Sequence, residues 1–97
     1  MKSIDQIAAE LQLPAVDFIK MDIEGAEVEA LKGARQTIRR YRPFLAIATE
    51  HTEDKVRNVR NVIATVKALG VEYNTGFGRY EKYGRSPYAP IEVFFYR

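Results

Sequence analysis

Apolar positions at Ile4, Ile7, Ala8 and Leu11 recur three and four residues apart, the repeat of one helix face. Ser3 and Gln6 have the spacing of a capping box, and Pro14 marks the stop. Residues 16–21 form a short apolar, β-rich run that predicts a strand. Val28, Leu31, Ala34, Ile38 and Tyr41 restore the helical repeat and predict one helix over residues 26–41, ended by Pro43. Phe44–Thr49 is nearly all apolar, the pattern of a parallel strand covered on both faces. Thr52 then suits an N-cap, with Glu53 and Asp54 at the positive end of the helix dipole. Val56, Val59, Ile63, Val66 and Leu69 make that helix amphipathic, and Gly70 fits its C′ position.

Beyond Gly70 the period falls to two over residues 71–75, a strand. Residues 76–90 hold three of the six glycines and two of the four prolines and read as a loop; Ile91–Tyr96 is a last strand. The order is α-β-α-β-α-β-loop-β. It predicts an α/β layered domain of about four strands and three helices, with two parallel strands and a C-terminal antiparallel pair.

A chain of 97 residues suffices for one domain. Its 46% hydrophobic and 29% charged residues are those of a soluble globular protein. A net charge of +2 is too small to point to a polyanionic partner. With no cysteine there are no disulfides and no thiolate metal sites. No apolar run reaches the roughly 20 residues of a membrane span, and Met-Lys-Ser-Ile-Asp-Gln is not a signal peptide. The expected location is the cytoplasm.

Candidate chemistry gathers where the first strand ends, in Lys20-Met21-Asp22-Ile23-Glu24-Gly25-Ala26-Glu27. Ligands of open α/β sheets sit at the carboxyl ends of the strands. Asp22 at the strand end and Glu24 in the turn are placed to bind a hydroxyl or amine, to hold a metal, or to act as a base. Gly25 permits a tight turn or a close ligand approach. Glu27 fits either a site or the first turn of a helix, which favours acids through its dipole. Glu50 and His51 end the next strand and fall beside these acids if the strands are adjacent. His51, the single histidine, is a natural proton shuttle or, with carboxylates, a ligand to a hard divalent metal. Gly76-Phe77-Gly78 precedes no helical pattern and reads as a turn, not a phosphate cradle. Tyr73, Tyr80, Tyr83 and Tyr88, interleaved with Arg79, Lys82 and Arg85, suit a single-stranded nucleic acid, a substrate lid, or tyrosines lying on the sheet edge.

The run Lys20–Glu27 resembles the K-x-D-x-E-G-x-E motif of the FkbM-type S-adenosylmethionine-dependent methyltransferases, and Glu29-Ala30-Leu31-Lys32-Gly33-Ala34 is similar to the helix that follows it there. The resemblance implies a partial Rossmann-like methyltransferase fold, with residues from about 3 to 97 forming its second half. It implies a cleft that holds Asp22, Glu24 and Glu27, with Glu50 and His51 on its wall; the expected catalytic residues are Asp22, Glu24 and His51, and Glu27, Glu50 and Gly25 are expected to bind a small-molecule substrate. The family's glutamate and histidine are often one residue apart; here Glu50 and His51 are adjacent. S-adenosylmethionine is the cofactor that the resemblance implies, but the family's glycine-rich cofactor half has no counterpart in these residues. The chain alone is therefore expected to bind it weakly or not at all, with a partner chain supplying that half. The alternative is a non-catalytic binding or assembly module that keeps the fold. Without its neighbour, the strand Val16–Met21 is expected to be an edge through which two copies pair, unless the N-terminal helix folds over it.

Overall fold

In a computed structural model, which describes residues 2–23, 25–49, 55–83 and 86–97 (55–56, 79–83 and 86–91 in backbone only), the chain begins with the capping box. The Ser3 Oγ accepts from the Gln6 N–H at 3.1 Å, and the Gln6 Oε1 accepts from the Ser3 N–H at 2.7 Å, opening helix α1 (Ile4–Glu10). Strand β1 (Phe18–Met21), helices α2 (Glu27–Lys32) and α3 (Arg35–Tyr41), strand β2 (Phe44–Ala48), helix α4 (Lys55–Ala68) and strands β3 (Asn74–Tyr83) and β4 (Ser86–Tyr96) follow. The strands form one sheet in the order β1-β2-β4-β3. The β1–β2 pair is parallel and the other two are antiparallel, the mixed sheet expected. Helix α4 ends as its sequence predicts, with Gly70 at φ +80° and its N–H on the Lys67 carbonyl. The Thr52 cap lies outside the described residues.

The helix expected over residues 26–41 is two helices. Its apolar face is as predicted, since Leu31, Ala34 and Ile38 are fully buried. The break at Gly33-Ala34 comes from α1, which lies across it. A Cβ on Gly33 would stand 2.9 Å from the Ser3 Cβ, and the Gly33 carbonyl accepts the Asp5 N–H at 2.9 Å. The Asp5 carboxylate then accepts from the Gln36 N–H (3.0 Å), the Thr37 N–H (2.8 Å) and the Thr37 hydroxyl (2.7 Å). It thus satisfies N-terminal amides of α3 from another element.

The loop expected over residues 76–90 is also corrected. Most of it is hairpin, paired from Asn74↔Tyr96 to Tyr83↔Ser86 with an irregularity between Glu81 and Tyr83. The glycines that suggested a turn instead make room for rings. A Cβ on Gly78 would run into the Phe94 ring, and one on Gly76 would touch Tyr96 at 3.4 Å.

The core lies on one side of the sheet. Ile19, Met21, Leu45, Ile47, Val93 and Phe95 face Leu31, Ile38, Val59, Val62, Val66 and Leu69 of the helices. On the opposite face Ala46 and Ala48 of β2 are buried too, as its sequence suggests, while Phe44 and its neighbour Phe18 are exposed. Phe18 and Phe44 stack there with centroids 5.3 Å apart and planes within 5°, and Phe44 meets Phe94 at 5.9 Å. Among the described residues no helix is long and apolar enough to cross a membrane.

Candidate functional site

Two parallel strands place the site. The register Ile19↔Leu45 and Met21↔Ile47 brings the carboxyl ends of β1 and β2 side by side. The chain leaving β1 turns at Ile23–Ala26, where the Ala26 N–H reaches the Ile23 carbonyl at 3.3 Å. Gly25, third in that turn, has φ +95°, a conformation that excludes most other residues. Glu27 opens α2 fully buried, and its Oε2 accepts from the Gly25 N–H at 3.0 Å. Its Oε1 is buried with no hydrogen-bond partner among the described residues, an arrangement that costs free energy. At the end of β2, Thr49 is buried and its carbonyl accepts from the Asn58 Nδ2 at 3.3 Å, which ties that strand end to α4.

Of the residues singled out by sequence, Asp22 and Gly25 are exposed at the end of β1. Glu27 is beside them but closed off from solvent, its carboxylate turned to the backbone of the turn. Glu24, Glu50 and His51 lie outside the described residues. The tyrosine-rich stretch lies on the β3–β4 hairpin, and its side chains from residue 79 to 91 are outside the described ones. Sequence reasoning missed Asn58 and Asp5. Asn58 was hidden among the polar positions of an amphipathic helix, and Asp5 inside a capping box that explained it locally.

Among the described residues no three of His, Cys, Asp or Glu converge to hold a metal ion. Strand β1, the turn at Gly25 and helix α2 make a strand–glycine turn–helix. That turn does not fit a cradle for the carboxylate of S-adenosylmethionine. Its Gly25 N–H is already held by Glu27, Asp22 stands beside it, and α2 has only six residues. A groove of about 780 Å³ between α2 and α4, lined by Val28, Lys32, Arg35, Asn58 and Asn61, reaches the turn at Gly25.

The chain matches the Methyltransferase FkbM domain over residues 1–73. Among solved structures it is similar to the crystal structure of Methyltransferase FkbM from Methylobacillus flagellatus KT, at 34% identity and a TM-score of 0.60. The likeness covers 91% of this chain and 22% of that one, so the chain spans less than a quarter of the relative's length. No curated protein matches it.

Proposed function

Because this chain belongs to the FkbM methyltransferase family, we propose that it forms the acceptor side of an S-adenosylmethionine-dependent methyl transfer to a small molecule. The observation that supports this reading most is the parallel β1–β2 register, which sets an exposed carboxylate, Asp22, beside the end of the neighbouring strand. In this reading Asp22, Glu24 and His51 take the proton of an acceptor hydroxyl or amine. Gly25 and Glu50 contact the acceptor, while Glu27 holds the turn that presents Asp22. The cofactor, when bound, supplies the methyl group. Its binding surface comes chiefly from a segment outside these residues or from a partner chain.

Calorimetry of the chain with S-adenosylmethionine and S-adenosylhomocysteine tests the division of labour. Little or no heat is expected, and micromolar or tighter binding would refute it. A turnover assay with the cofactor-binding half supplied tests the acids: Asp22→Asn and Glu24→Gln should slow methyl transfer by about a hundredfold, the scale of one lost proton-transfer group. Unchanged turnover favours the second reading, a binding or assembly module. That reading draws on the Gly25 N–H being occupied and on the aromatic face left open on the sheet.

A further inference from the structure

Resting on the methyl-transfer reading above, we infer that the groove between α2 and α4 holds the acceptor, and that this acceptor is anionic. It carries a carboxylate or phosphate at one end and an apolar chain leading back to the turn at Gly25. Both helices begin where strands end. Gly25 precedes α2, and the Asn58 Nδ2 on α4 binds the carbonyl of Thr49, just past β2. That end of the groove therefore adjoins the turn that carries Asp22. The far end is reached along α2 from Glu27 to Lys32, about 8 Å of helix rise. There Lys32 closes α2 and Arg35 opens α3.

The two cations at the far end lack what normally neutralises them. Among the described residues the Arg35 side chain forms no ion pair, and no acid lies in the first turn of α3, where the helix dipole disfavours a cation. The Asp5 carboxylate, at the start of α3, is bound to the Gln36 and Thr37 amides instead. Lys32 meets only Glu29, at 3.5 Å and with both side chains more than half exposed, a pair that contributes little. No carboxylate lines the groove among the described residues.

Such a wall attracts an oxyanion. Arg35 can bind two of its oxygens at once, and Lys32 supplies a point charge. Across the groove, Asn61 uses only its main-chain carbonyl, for the Thr65 hydroxyl at 2.7 Å, and keeps its carboxamide to donate. Between the polar ends the lining at Val28 and Ala64 is apolar, which suits a carbon chain and not a second charge. The volume, about 780 Å³, falls within the roughly 300–1,000 Å³ of small-molecule sites. Two cations match one oxyanion and not a polyanion, which needs many.

NMR titration of the 97-residue chain tests this with 6-hydroxyhexanoate and 6-hydroxyhexyl phosphate, against 1,6-hexanediol as the neutral counterpart. Both anions should bind with low millimolar Kd and shift the Asn61 side-chain amide and the Gly25 amide; the diol should bind at least about tenfold more weakly. The tighter of the two anions identifies the oxyanion. Arg35→Gln and Lys32→Gln should each weaken the anions at least about fivefold and leave the diol unchanged. Both positions are exposed on helices, where glutamine is equally well accommodated. Arg39→Gln, which removes the same charge from α3 outside the groove, should change nothing. Absence of binding, equal binding of diol and anions, or equal losses from Arg39→Gln and Arg35→Gln overturns the proposal. So does Arg35-dependent binding that leaves the Gly25 amide unmoved, because the anion would then sit apart from the turn. None of these readouts needs cofactor or turnover, so a failure here is separate from a failure of the methyl-transfer assay on Asp22→Asn and Glu24→Gln.

Discussion

Glu27, which is buried, and Tyr73, which is half-buried, show what single polar groups do here. The Glu27 carboxylate is the acceptor that holds Gly25 at φ +95°. Glu27→Ala should cost about 2 kcal/mol, because the amide loses a charged acceptor. Glu27→Gln keeps an acceptor for that amide and should cost less; urea unfolding measures both. Tyr73 donates its hydroxyl to the Pro43 carbonyl at 2.6 Å. Burial raises its pKa above 10.0, against the opposing pull of Arg97 and then Arg42. A raised folded pKa means that the stabilisation is complete below pH 10.0 and is lost as pH rises through the folded value, since the unfolded chain ionises first. Tyr73→Phe should therefore lower stability at neutral pH by about 1 kcal/mol and flatten its fall above pH 10 relative to wild type. Thermal unfolding between neutral and alkaline pH checks this.

At the scale of elements, α1 works as a clamp. None of its residues is fully buried, yet Asp5 receives three hydrogen bonds from the start of α3. Asp5→Ala should destabilise the fold by about 2 kcal/mol, the range of bonds to a charged group, and leave the buried Thr37 hydroxyl without that acceptor. Gly33→Ala should cost about 1–3 kcal/mol by forcing α1 off the break between α2 and α3. Chemical denaturation measures each. These contacts also explain what the sequence did and did not reveal. Period-3.6 spacing identified the buried face of α2 and α3 because burial depends on the face, which persists through the break. The break itself depends on residues some 30 positions away, which no local window contains. Gly76 and Gly78 misled for the same reason, since their role is set by rings on β4. The strand-end location of Asp22 and the turn at Gly25 were legible because a strand boundary and a positive φ are local properties. That Glu27 is buried was not, since its surroundings come from other parts of the fold.

At the scale of the molecule, the sheet order is the informative feature. The last strand in sequence, β4, lies between β2 and β3, and it contributes Val93 and Phe95, which are 0% and 1% exposed. During synthesis, β1 and β2 can pair once the first 48 residues are free, because α2 and α3 connect them directly. The sheet cannot close until β4 emerges. Until then β2 presents an unpaired edge, and Leu45 and Ile47 lack the two side chains that complete their core. The nascent chain therefore passes through an interval in which its parallel strands are assembled but unsealed. A ribosome-bound chain stalled after residue 85 should be digested readily by protease, and one with residue 96 outside the exit tunnel should resist.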